Sequence, residues 1–102
     1  MYCTRIAADP STPLLAGYRI LPLQLPGPGR AFDDNRNLGR LRREGVRDVV
    51  VSGAITDRVL AARSRYPRES AFYAQLARRA RRVYYLTPGH GRAGPWVAIY
   101  AL

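Results

Sequence analysis

The residues of this chain that could do chemistry are few, and they fall in two short segments. They are Ser52, Gly53, Asp57 and Arg58 in the first segment, and His90 and Arg92 in the second. Ser52, His90 and Asp57 are the residue types of a serine-hydrolase triad. However, Val51-Ser52-Gly53 is not the motif of a nucleophile elbow. His90 lies between two glycines, and such a loop would position a catalytic base poorly. We therefore expect Ser52 to cap the following helix, and we predict no catalytic residue in this chain.

The same residues are better placed for binding. Ser52 ends an apolar run that is typical of a central strand, and open α/β sheets accept ligands at the carboxyl ends of their strands. We predict a binding surface there, joined by the loop around His90 and Arg92. Asp57 stands beside Arg58, so we expect an ion pair or a role at the helix start rather than a free base.

Metal and cofactor sites lack the residues they need. Cys3 is the single cysteine and His90 the single histidine, too few for a metal centre. The Pro/Gly turn at 26–29 has neither the third glycine of a dinucleotide fingerprint nor the lysine of a phosphate loop. Asp33 and Asp34 are adjacent and should form an Asx turn or a helix cap. We predict no metal and no cofactor.

The net charge of +10 suggests an anionic partner, but its composition weakens that signal. All seventeen basic residues are arginine, a bias that GC-rich coding produces without selection for a partner. The charge is also uneven: residues 1–51 hold eight arginines and five acids, whereas residues 52–102 hold nine and two. Any electrostatic role should therefore belong to the C-terminal half.

Hydrophobic patterning predicts one small layered α/β domain. We expect an irregular lead-in over residues 1–16 and a single domain over 17–102. The predicted strands cover 18–25, 46–52, 83–87 and 96–102, and the predicted helices cover 37–44, the segment after Gly53 and the segment from Pro67. The first three strands should be parallel with helical crossovers, and the last should add antiparallel at an edge as a C-terminal hairpin. The unbroken Val49-Val50-Val51 run predicts a central strand buried on both faces.

A basic and aromatic surface is the main alternative source of function. Arginines at 78, 79, 81 and 82 lie close to aromatic residues at 84, 85, 96 and 100, a combination that suits nucleic acid. Strand aromatics more often pack in a core, and arginines off an apolar helix stripe more often face solvent. We accordingly expect nucleic-acid binding to be weak and non-specific.

Several segments together resemble a known family. These are Gly45-Val46-Arg47-Asp48-Val49-Val50-Val51-Ser52, Asp57-Arg58, Tyr66-Pro67-Arg68-Glu69-Ser70-Ala71-Phe72-Tyr73 and Gly94-Pro95-Trp96-Val97-Ala98-Ile99-Tyr100. In order and spacing they resemble the C-terminal extramembrane domain of bacterial membrane glycosyltransferases, enzymes similar to dolichyl-phosphate-mannose–protein mannosyltransferases. Residues 18–25 resemble an earlier strand of that domain. The chain departs from the pattern at Gly53, Thr56 and Val59.

The resemblance implies a non-catalytic accessory domain on the extracytoplasmic face of a bacterial membrane. It implies a membrane-embedded glycosyltransferase core, or the membrane surface, as partner, and a role in binding the acceptor or the lipid-linked sugar donor. That family's catalytic acids lie between membrane helices, so no catalytic residue carries over to this chain. The resemblance also implies that the domain's first strand is missing, which would leave a sheet edge open for pairing with another copy. A free-standing nucleic-acid-binding module is the alternative.

Overall fold

Five strands and three helices make up the part of the protein that the computed structural model describes, namely residues 5–9, 19–24, 26–27, 31–88 and 94–102. The strands are β1 (Arg5–Ala8), β2 (Arg19–Pro22), β3 (Val46–Ser52), β4 (Arg81–Leu86) and β5 (Val97–Ala101). The helices are α1 (Leu38–Arg43), α2 (Gly53–Ala61) and α3 (Pro67–Arg79).

The strands form one mixed sheet in the order β2-β1-β3-β5-β4. β1 pairs in parallel with both β2 and β3, whereas β5 pairs antiparallel with β3 and with β4. β4 consequently runs in the same direction as β3 without pairing with it. This arrangement confirms the predicted α/β class, with a mostly parallel sheet and an antiparallel C-terminal hairpin at its edge.

The valine run of β3 is buried on both faces, as predicted. Val49, Val50 and Val51 expose 0%, 1% and 2% of their surface. Because side chains alternate along a strand, Val49 and Val51 join the larger core with residues of all three helices. Val50 points the other way and packs in a smaller cluster with Ile6 and other strand residues.

The helices begin and end where their local sequence dictates. The Asn37 side chain accepts a hydrogen bond from the Arg40 amide and caps α1, whose Leu38 and Leu41 are buried three positions apart. Gly45 follows with a φ of +79°, a conformation that glycine adopts at little cost. Pro67 opens α3 at its first position, where its missing N–H leaves no bond unmade.

Two topological predictions were wrong. Residues 5–8 are not part of an irregular lead-in but form β1, which lies between the other two parallel strands. Strand β5 is not at the edge of the sheet, because it inserts between β3 and β4 and leaves β4 outermost. The physical reason is pairing: the antiparallel register with β3 buries Val97 and Ala98, which an edge position would leave half exposed.

Candidate functional site

The strand-to-helix junction at Ser52 is a cap rather than a nucleophile. Ser52 is fully buried, and its hydroxyl accepts a hydrogen bond of 3.2 Å from the Ala54 amide at the start of α2. Its own amide donates to the Asp9 carboxylate at 3.3 Å. Both groups are therefore committed to holding the junction, as the sequence predicted for the hydroxyl.

Gly53 lies directly against Trp96, the single tryptophan of the chain. Its amide donates a 2.8 Å hydrogen bond to the Trp96 carbonyl, which extends the β3–β5 pairing by one residue. A Cβ at position 53 would lie 2.5 to 2.7 Å from three atoms of the indole ring. Only a residue without a side chain lets the indole lie this close to the first turn of α2.

Asp57 fixes the same indole from the other side of that turn. Its Oδ2 accepts a 3.0 Å hydrogen bond from Trp96 Nε1. Arg58 points elsewhere and donates to the Pro26 carbonyl. Of the two roles expected for Asp57, the ion pair with Arg58 does not form, since each side chain has a different partner, and Asp57 does not lie in the first turn of α2. His90 and Arg92 lie outside the residues that the structure describes.

The structure thus brings three predicted residues together around a fourth that the prediction omitted. Ser52, Gly53 and Asp57 all lie at or near the junction of β3 and α2. Gly53 donates a hydrogen bond to Trp96, and Asp57 accepts one from it. Sequence analysis assigned Trp96 to the alternative aromatic surface. Local patterns carried no signal for this role, because Trp96 reaches the start of α2 only through the antiparallel pairing of 96–102 with 46–52.

A buried polar cluster of Asp9, Arg36 and Tyr73 adjoins the junction through the bond between Asp9 and the Ser52 amide. The sequence did not predict this cluster. Asp9 Oδ1 accepts from the Tyr73 hydroxyl at 2.8 Å and from Arg36 Nη2 at 3.5 Å, and Arg36 Nε donates to the same hydroxyl at 3.3 Å. Burial raises the pKa of the Asp9 carboxyl above its usual range, although the bonds from Tyr73 and Arg36 act against that rise. Burial also raises the pKa of the Tyr73 phenol, which therefore stays a donor.

This cluster is structural, because its two charged side chains offer a ligand no surface. The side chains of Asp9 and Arg36 expose 0% and 1% of their area. It links the end of β1 to the segment before α1 and to α3. Asp33 adds a local turn nearby, in which its carboxylate accepts from the Asn35 and Gln24 amides, so the predicted Asx turn is confirmed.

An open cleft of about 380 Å³ lies between the helices and the C-terminal hairpin, next to Trp96. Its polar and aromatic lining consists of Thr56, Arg63, Tyr73, Arg82, Tyr85, Trp96 and Tyr100. The rings of Tyr85 and Trp96 are 5.8 Å apart at their centroids and tilted by 41°. The Arg82 guanidinium lies 4.5 Å above the Tyr85 ring centroid, within cation–π range. The cleft therefore presents flat apolar rings beside fixed positive charge.

Exposure along β4 corrects one expectation and confirms another. Tyr84 and Tyr85 expose 49% and 43% of their surface, so these strand aromatics are not core residues. Arg78 and Arg79 of α3 are exposed, as expected of arginines off the apolar helix stripe, and Arg81 and Arg82 are exposed on β4. The aromatic residues stand outside the core because β4 is the outermost strand, with Val83 at 49% exposure as well.

Comparison with known proteins adds no relative. No family model, no curated protein and no solved structure matches the chain. Across the described ranges, no helix is long and apolar enough to cross a membrane. Within the same ranges, no three metal-ligating side chains come together.

Proposed function

We propose that this chain is a non-catalytic binding domain that accompanies a membrane glycosyltransferase and helps to hold an anionic ligand, the lipid-linked sugar donor being the first candidate. The observation that carries the proposal is the cleft beside Trp96. Its lining, as far as the structure describes it, combines aromatic rings and arginines with no carboxylate and no imidazole. Such a lining can bind a ring and a phosphate, but it offers no general base for transfer.

Engagement of the nearby polar groups supports binding over catalysis. The Ser52 hydroxyl caps α2, and the Asp57 carboxylate bonds the indole N–H. A serine nucleophile must reach its substrate, and Ser52 is fully buried. The resemblance to the extramembrane domain of membrane glycosyltransferases supplies the class of partner, and the excess of arginine in residues 52–102 suits a phosphate-rich ligand or surface.

Vesicle binding and turnover test this proposal together. Phosphatidylcholine vesicles containing a polyprenyl-phosphate-linked hexose should retain the chain on flotation, and phosphatidylcholine alone should not. The purified chain with that donor and an acceptor should give no transfer. Equal retention on both vesicles would refute the binding role, and turnover lost in Asp57→Ala would make Asp57 catalytic.

A second candidate, binding of single-stranded nucleic acid, rests on the exposed Tyr84 and Tyr85 beside Arg81 and Arg82. Exposed aromatics next to arginines are the elements of a stacking platform. Binding through phosphates alone should fall steeply between about 50 and 200 mM salt. Retention of a mixed-sequence oligonucleotide at physiological salt, lost in Tyr84→Ala, would favour this candidate over the first.

A further inference from the structure

The cleft beside Trp96 contains a polar group with no partner of its own. Thr56 lies on α2, is 93% buried and lines this cleft. Its Oγ1 has no hydrogen-bond partner among the described residues. A buried hydroxyl that makes no hydrogen bond is unusual in a native protein, since the lost solvation is not replaced. A ligand oxygen that reaches Oγ1 from the cleft would replace it.

The aromatic wall of the cleft is held rigidly. Trp96 is fixed by three independent contacts: the Gly53 amide on its carbonyl, the bare Cα of Gly53 under its ring, and Asp57 on its Nε1. The Tyr85 ring lies against this indole, with centroids 5.8 Å apart, and the Arg82 guanidinium lies 4.5 Å from the Tyr85 ring centroid. A wall whose side chains are already ordered loses little conformational entropy when a ring stacks on it.

The charge in the cleft is uncompensated. Arg82 and Arg63 line it from β4 and from the segment after α2, and neither forms an ion pair within the described part of the chain. A guanidinium presents several N–H donors in one plane, a geometry that fits phosphate oxygens. Arg82 is also kept in place by Tyr85, so its donors face a restricted region.

From these three features we infer that the cleft is a binding site for a small phosphate monoester that carries a ring, the ring lying on Trp96 or Tyr85 and the phosphate on Arg82 and Arg63. Thr56 would take a hydroxyl or phosphate oxygen that reaches its Oγ1 from the cleft. Sugar phosphates and nucleoside monophosphates share this chemistry. The inference rests on the proposed binding function and names its ligand class, but it does not require a lipid or a partner enzyme.

Fluorescence of the single tryptophan tests the inference directly, because Trp96 is part of the proposed site. The folded chain is titrated at low salt with mannose 1-phosphate, uridine monophosphate, inorganic phosphate and mannose. A ring phosphate should change the emission and bind at least about tenfold more tightly than inorganic phosphate or mannose, since it uses both parts of the site. Comparison of the first two ligands tells which ring the site takes.

Matched variants distinguish binding in the cleft from a general effect of the chain's positive charge. Arg82→Met and Arg79→Met remove one charge each, but Arg79 is an exposed residue of α3 outside the cleft lining. Arg82→Met should weaken the ring phosphate about tenfold, and Arg79→Met should leave affinity within about twofold. Thr56→Val, which deletes the hydroxyl, should weaken binding while the chain stays folded.

The possible failures are distinguishable. Equal affinity for inorganic phosphate and ring phosphates, or equal loss in the two arginine variants, would overturn the cleft site and leave only a non-specific anion effect. An unchanged emission together with retention on donor-containing vesicles would also overturn it, while the accessory function would stand. Ring-phosphate binding without vesicle retention would support the cleft and refute the membrane role.

Discussion

The buried pair Asp9–Arg36 gives the sharpest test of the structure. We expect Arg36→Met to destabilise the domain strongly at neutral pH, because the variant leaves a carboxylate in a site that water does not reach. Two unit charges 3.5 Å apart attract each other by about 5 kcal/mol at an effective dielectric constant of about 20. Breaking such a pair from one side typically costs about 3–5 kcal/mol, and we predict a loss in that range.

The pH dependence of this loss isolates its electrostatic part. Burial already raises the pKa of Asp9, and removal of the Arg36 charge, which lowers it, should raise it further. A group whose pKa is higher in the folded state stabilises that state below its unfolded pKa and loses the contribution as pH rises through the folded value. The deficit of Arg36→Met should therefore be small near pH 4 and grow towards pH 8.

Urea denaturation of the unsubstituted chain and three variants at both pH values measures the effect. Arg40→Met is the matched control, because the Arg40–Glu44 pair is exposed and should contribute less than about 1 kcal/mol. The double variant Asp9→Asn/Arg36→Met should exceed Arg36→Met in stability at pH 8, since it buries no charge. A deficit equal at pH 4 and pH 8 would refute the electrostatic account and assign the loss to packing alone.

Three further predictions concern the core and the strand-to-helix junction. Val50→Ala should lower the free energy of unfolding by about 1–3 kcal/mol through lost burial and a residual cavity, and an unchanged denaturation midpoint would contradict its place in the core. Ser52→Ala should cost about 0.5–2 kcal/mol by removing the cap on the Ala54 amide, which calorimetry can measure. Gly53→Ala should displace the Trp96 ring and shift its emission maximum, because the new Cβ would overlap the indole; an unchanged spectrum with native stability would show that the ring does not lie there.

Sequence patterns predicted the elements whose core residues follow a clear period. The valine run marked β3, and the spacing of Leu38 with Leu41 marked α1. Pro67 marked the start of α3. In each case the residues that announce the element are the ones the fold buries or places at a terminus, so local pattern and tertiary structure agree.

β1 escaped prediction because its sequence carries almost no strand signal. Its four residues, Arg5–Ala8, include two alanines, which pack in the narrow space between neighbouring strands but have low strand propensity. Its place is determined by pairing with β2 and β3 on both sides, which only the tertiary structure supplies. The buried Asp9 was missed with it, since its position depends on the end of that strand.

Trp96 was missed for a related reason. The predicted last strand, 96–102, was placed at the sheet edge, where its first residue, Trp96, would have no neighbour at the end of β3. Insertion of β5 next to β3 puts Ser52 opposite Val97 and so brings the indole over Gly53. A site made of residues forty positions apart depends on strand order, and strand order was the part of the topology that local patterns did not determine.

Individual arginines of this chain have different roles, although all seventeen basic residues are of this one type. GC-rich coding is enough to produce the number of arginines, but it does not place a guanidinium over an aromatic ring. Arg36 lies 5.9 Å from the Tyr73 ring centroid while it bonds Asp9, and Arg82 lies 4.5 Å from that of Tyr85. A lysine ammonium cannot stack and donate sideways at once. Arg36 is also the one arginine buried among the described residues, and it serves the fold. Arg82 combines exposure, contact with an aromatic ring and a place in the cleft, so it links charge to function better than the total of +10 does.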